Sequence, residues 1–210
     1  MITLTTLLGF AAVALAMVLT PGPNMAYLIS RSICQGRAAG FISLLGVLAG
    51  FLVYMLLAAA GITAVVMAIP FAYDALRLAG AAYLAWLAWN AVRPGGSSPF
   101  ERRTLSIDSP LKLFSMGLMT NLLNPKIALL YLSLLPQFVN PSHGSVLVQS
   151  VVLGLVQMSV SGMVNGCIVF AAGAIATFLS TRPTWARLQR WLMATVLGLL
   201  AVRMAVASRR

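Results

Sequence analysis

Between Lys126 and Arg182 the chain runs 55 residues without a single Lys, Arg, Asp or Glu. A helix crosses the hydrocarbon core of a bilayer with about 20 apolar residues, so this stretch holds more than one crossing. The cluster Pro136-Gln-Phe-Val-Asn-Pro-Ser-His-Gly144 supplies the turn between them. Residues 1–30 and 38–73 are also free of formal side-chain charge. The whole chain has 14 Lys or Arg and 3 Asp or Glu in 210 residues, is 60% apolar and has mean hydropathy +0.96. Soluble domains carry about 25% charged residues, and disorder needs low hydrophobicity. The composition therefore excludes both. The net charge of +11 does not indicate nucleic acid, because the basic residues punctuate apolar runs and form no basic face.

The pattern predicts an all-α integral membrane protein of one domain, residues 1–210, with six spans near 4–30, 40–68, 73–92, 113–137, 145–180 and 189–207. No basic residue precedes the first apolar run, so that run is expected to stay in the mature protein rather than act as a cleaved signal. Residues 93–112 form the one polar linker. The 31–40, 93–112 and 181–190 loops carry Arg31 and Arg37; Arg93, Arg102, Arg103 and Lys112; and Arg182, Arg187 and Arg190. The turns near Pro70 and Pro141 carry none. The positive-inside rule puts the basic loops in the cytoplasm and both termini outside, against the pull of Arg209 and Arg210. Anionic lipid headgroups suit those basic loops. Cys34, in a cytoplasmic loop, and Cys167, in an apolar helix, are expected to be inert thiols.

Two spans cannot be continuous helices. The first contains Thr20-Pro21-Gly22-Pro23-Asn24, and each proline removes a backbone donor and crowds the carbonyl four residues back. The fourth contains Asn121-Leu-Leu-Asn124-Pro125-Lys126. Broken backbone at membrane depth is tolerated where it is buried in protein or lines a cavity. A lysine at the bilayer centre costs about 2.5–3.5 kcal/mol, so Lys126 calls for a wet cavity or an anionic partner. Three spans on each side of one cytoplasmic linker make two inverted repeats, about 1–92 and 113–210, each opening on a broken helix. The expected site lies where the breaks meet, with half-helix N-termini and Lys126 offered to a carboxylate. The candidate binding residues are Pro21, Gly22, Pro23, Asn24, Asn121, Asn124, Pro125 and Lys126. Gln157, Ser161 and Asn165, four apart, share one helix face and either line the pathway or bond neighbouring helices. Tyr54 and Tyr131 either touch substrate or, the better reading, bond an amide or a backbone group. Trp86, Trp89, Trp185 and Trp191 read as interfacial anchors. No metal site or cofactor is expected.

These segments resemble the LysE-type amino-acid exporters, and most closely their homoserine/threonine-exporter branch. The resemblance is carried by Thr20–Asn24; by Gly36-Arg37-Ala-Ala-Gly40 with Gly46 and Gly50; by Leu78-Ala-Gly80-Ala-Ala-Tyr83-Leu84; by Asn121–Lys126; and by Leu135-Pro-Gln-Phe138. It covers most of residues 15–140, and the C-terminal third matches mainly in hydropathy. It implies a small bacterial inner-membrane secondary transporter exporting amino acids or related metabolites, driven by the proton gradient, with 21–24 and 124–126 as the transport core. A histidine in the second span and an aspartate in the fifth, found in members such as the homoserine exporter, are here replaced by Tyr54 and Ser161, so no intramembrane carboxylate is left to relay protons. Lys126 or the substrate's own ionisation would then supply coupling. A metal-ion or other small-solute exporter on a related fold and a non-transporting membrane partner stay open as alternatives. An enzyme does not, because the spans hold no nucleophile, base and acid set. The Gly-rich faces suit either a monomer or a homodimer.

Overall fold

The computed structural model describes residues 2–61 and 107–206, with scattered residues between 78 and 93. Most of the expected third span and of the linker lies outside the described residues. All described regular structure is helical. Helix α1 (Leu4–Leu19) starts where Thr3 Oγ1 accepts a hydrogen bond from the Thr6 N–H, and stops at Thr20. Helix α2 (Pro23–Gln35) follows at an angle of 55°. Helix α3 spans Arg37–Ala59. Helix α4 (Pro110–Leu122) and the short α5 (Pro125–Leu129) flank the second break, and the axis turns by 49° there. The chain then widens into a π-turn over Leu130–Leu134 and tightens into a 3-10 turn over Leu135–Phe138. Pro136 explains the irregularity, since it has no N–H to give the carbonyl four residues back. Helix α6 runs Val146–Ser180 and α7 runs Pro183–Val206.

Both breaks fall where the prolines required them. In each, proline takes the first helical position, where its missing N–H costs nothing. The fifth expected span is one unbroken helix of 35 residues, about 52 Å long at 1.5 Å per residue, so it outreaches the roughly 30 Å hydrocarbon core.

By length and apolarity, α3 and α6 each qualify as a span alone, and α1–α2 and α4–α5 qualify as bent pairs. Six spans were expected; among the described residues there are up to four candidates. The C-terminal segment is helical from Pro183 but is not one of the four.

The expected 31–40 loop is corrected. Helix α2 runs through Arg31 and Cys34 to Gln35, and α3 begins at Arg37. The connection is Gly36 alone, at φ +90°, a backbone conformation that side chains with a Cβ rarely adopt. Polar residues at the ends of two helices had imitated a loop.

Helix α3 sits at the centre, packed on α2, α4 and α6. Its approach to α4 is as close as backbone allows: a Cβ on Gly46 would overlap the Phe114 carbonyl, and one on Gly117 would overlap that of Ser43. Small residues let helices in lipid meet this way and gain dispersion contacts, because lipid tails give no hydrophobic drive between helices. Phe10, Leu28, Val47, Phe51, Leu130 and Leu153 fill the interior. Leu8, Leu45, Leu52, Leu56, Leu155 and Met163 point outward. Such an apolar exterior is stable in hydrocarbon and not in water.

Candidate substrate-translocation site

The two breaks meet. Pro21 has no N–H, so the carbonyl of Met17, four residues back, loses its helical donor. Lys126 Nζ, from the second break, donates to that Met17 carbonyl oxygen at 2.8 Å and to that of Thr20 at 2.7 Å. The ammonium thus caps the C-terminal end of α1, the negative pole of its dipole. Lys126 is only 6% exposed. Two backbone carbonyls offset part of the cost of its burial. Gly22 makes the approach feasible, because a Cβ there would stand 3.1 Å from Nζ.

The second break satisfies itself differently. The Asn124 side-chain oxygen accepts from the Lys126 N–H at 3.1 Å, and the Asn124 N–H donates to the Asn121 carbonyl at 3.0 Å, the carbonyl that Pro125 orphans. The Leu122 carbonyl takes a hydrogen bond from the Tyr54 hydroxyl at 2.8 Å. Tyr54 also stacks on Tyr131, with centroids 5.4 Å apart.

A small cavity of about 20 Å³ lies beside Lys126. Asn24, Lys126, Gln157, Ser161 and Asn165 contribute its polar wall; Met17, Val18, Met25, Phe51 and Ile127 contribute the apolar one. That volume holds about one water molecule and is too small for an amino acid. Gln157 Nε2 donates to Ser161 Oγ and Asn165 Nδ2 donates to the Ser161 carbonyl, both at 2.9 Å. The amide nitrogens are thereby used along their own helix, while Gln157 Oε1 and Asn165 Oδ1 are buried without a partner. Both amide atoms of Asn24 are likewise unpartnered. Buried polar atoms are paired in the great majority of cases; here several orphans stand around one ammonium at one small cavity. The other expected site residues stand apart from this wall. Asn121 is fully buried against Gly50, with both amide atoms unpartnered. Asn124, Pro125, Pro21, Gly22 and Pro23 form the breaks themselves, and Tyr54 braces the second.

Met17 and Thr20 were missed in the sequence, although Pro21 marks the Met17 carbonyl for anyone counting four residues back. The apolar wall carried no signal that distinguishes it from lipid-facing residues.

The LysE type translocator family matches residues 15–208. This chain belongs to that family. It is therefore a transporter and not an enzyme, and its apolar helices make it a multi-pass membrane protein. Leucine efflux protein of Enterobacter sp. (strain 638) is 28% identical over 91% of each chain. That of Klebsiella pneumoniae is 27% identical over 91% of each. An uncharacterized membrane protein of Pseudomonas aeruginosa is 29% identical over 79% of this chain and 78% of its own. No solved structure gives a significant match.

One end of this translocator is tied by charge. Asp108, 8% exposed, accepts from Arg31 at 2.7 Å, from Gln35 Nε2 at 2.7 Å and from Lys112 at 2.5 Å. Its backbone N–H donates to Gln35 Oε1 at 3.0 Å. The bonds from Lys112 and Gln35, with the nearby charges of Lys112 and Arg31, hold its carboxyl below the ordinary carboxylate range, against a smaller opposing effect of burial. The Tyr27 hydroxyl adds a bond to the Leu113 carbonyl at 2.9 Å. The C-terminal end of α2 is thus fastened to the start of α4.

Proposed function

We propose that this translocator exports a zwitterionic amino acid with an apolar side chain, of the leucine type, from the cytoplasm across a bacterial inner membrane. The observation that carries the reading is the cavity where the two breaks meet. The Lys126 ammonium has three donors, and two are taken by Met17 and Thr20. The third suits a substrate carboxylate. The substrate's own ammonium donates to the unpartnered oxygens of Asn24, Gln157 and Asn165. Its side chain lies on Met17, Met25 and Phe51. The names of the leucine efflux relatives agree with that division of polar and apolar walls.

In this reading the chain has six spans in two inverted repeats. The packing is consistent with such a repeat: α3 of the first half contacts α4 of the second, as α6 of the second contacts α1 and α2 of the first. Arg31 and Lys112 both meet Asp108, and Arg190 donates to the Arg93 carbonyl at 3.3 Å, contacts that support the reading in which the basic segments share one end. That end is the cytoplasmic one and both termini are outside. The cavity is closed to a molecule of leucine's size, so transport requires the halves to rock apart at alternate ends. Export runs on the proton gradient without a carboxylate in the cavity wall.

The test is efflux from cells preloaded with labelled leucine and other amino acids, with and without a protonophore. Selective leucine efflux that stops with the protonophore is expected. Retention equal to that of cells lacking the protein refutes the cargo, and efflux indifferent to the protonophore refutes the coupling.

A further inference from the structure

We propose that the carbonyl oxygens of Met17 and Thr20 form a monovalent-cation site at the end of the first half-helix, and that Lys126 occupies it as a cation tethered to the other half of the molecule. Three observations carry this. The site is created by the break: Pro21 withdraws the donor that the Met17 carbonyl would have had. Its two oxygens converge on one nitrogen at 2.8 and 2.7 Å. The occupant is buried, and no carboxylate neutralises it: among the described residues the carboxylate is Asp108, which is bonded to Arg31, Gln35 and Lys112 at the charged end. The negative pole of α1 and two carbonyl dipoles therefore balance a full positive charge between them. Half-helix C-termini and unwound carbonyls hold free cations in other transporter architectures. Here the cation arrives on a side chain, so the site cannot empty into solution, and its occupancy reports on how the two breaks are placed. Lys126 is a positioning residue for the first break, besides any contact with cargo.

The site makes a specific demand on a replacement cation. It needs N–H donors or a bare alkali ion, and enough smallness to pass Gly22. Truncation in Lys126→Ala opens the place of three methylenes and the ammonium. Methylammonium and ethylammonium then fit and can donate to both carbonyls. Tetramethylammonium has the same charge and no donor.

The experiment uses the full-length Lys126→Ala protein, produced with and without methylammonium, and compares its accumulation, its melting temperature in detergent and leucine efflux from proteoliposomes. Saturable stabilisation by methylammonium or ethylammonium is expected, with melting raised by about 2–4 °C. Tetramethylammonium gives none, and the wild-type protein responds to neither, because its site is filled. Stabilisation by sodium or potassium also supports the site. If neither accumulation, melting nor efflux of the variant responds to any primary ammonium or alkali ion more than the wild type does, the proposal is overturned. Only the efflux arm rests on the cargo reading. Stabilisation without recovered efflux leaves the cation site standing and separates it from that reading.

Discussion

The two broken helices begin alike and are completed differently. Each sets proline at the first position after the break and leaves carbonyls without donors. In the first, an ammonium from the opposite half satisfies them, while the N-cap of the next half-helix is Gly22, which has no side chain to cap with. In the second, a neutral phenol and the backbone N–H of the break's own Asn124 satisfy them. One break is thus closed by charge from afar and has an open cap; the other is closed locally without charge. Positive charge and unfilled amides line the same cavity, which on the proposed reading gives an ammonium for an acid group and bare oxygens for an amine. A symmetric pair of breaks would have lacked that polarity.

The sharpest way to break this comparison is Lys126→Ala. It removes two charge-assisted bonds, together about 3 kcal/mol or more, so efflux should fall by about 100-fold; efflux kept near wild type would make the two breaks equivalent. Asn24→Ala comes next. Its amide atoms have no partner, so leucine efflux should drop about tenfold while melting temperature holds or rises. A parallel loss of stability would show Asn24 to be structural instead. Tyr54→Phe tests the neutral break. Leaving the Leu122 carbonyl without its donor costs about 1–2 kcal/mol, seen as a fall of about 2–6 °C in melting, with efflux reduced only a few-fold. An efflux loss as deep as that of Lys126→Ala would erase the distinction between the breaks. The smallest effect belongs to Asp108, away from both. Its lowered carboxyl makes its contribution to stability complete above the ordinary carboxylate value of about 3.9 and lost only as pH falls through the lower folded value. Melting should be flat from neutral to mildly acid pH, and Asp108→Asn should remove part of the loss seen in stronger acid.

The breaks were legible because proline's missing N–H is a property of the residue itself, wherever it folds. Lys126 was legible as a costly residue, but its partners were not: carbonyl oxygens belong to every residue, and only counting back from Pro21 singles out Met17. The face shared by Gln157, Ser161 and Asn165 followed from helical spacing, and all three reach one cavity. Their orphaned oxygens did not follow, since orientation of an amide depends on which neighbour claims its nitrogen. Phe51 and Met25 use the same letters inside the cavity as the outward-facing Phe41 and Met163. The Gly36 connection was misread for a related reason, because Arg31 and Gln35 are polar at a helix end whose partner, Asp108, is distant in sequence.

That connection leaves almost no slack. With a single residue between them, α2 and α3 turn about a common elbow and cannot slide past each other independently. Asp108 then adds a second fastening, from the elbow to α4. In the proposed rocking of the halves this end of α2 stays with α4, and the bend at Thr20–Gly22, tied to the other half through Lys126, is where α1 and α2 part direction.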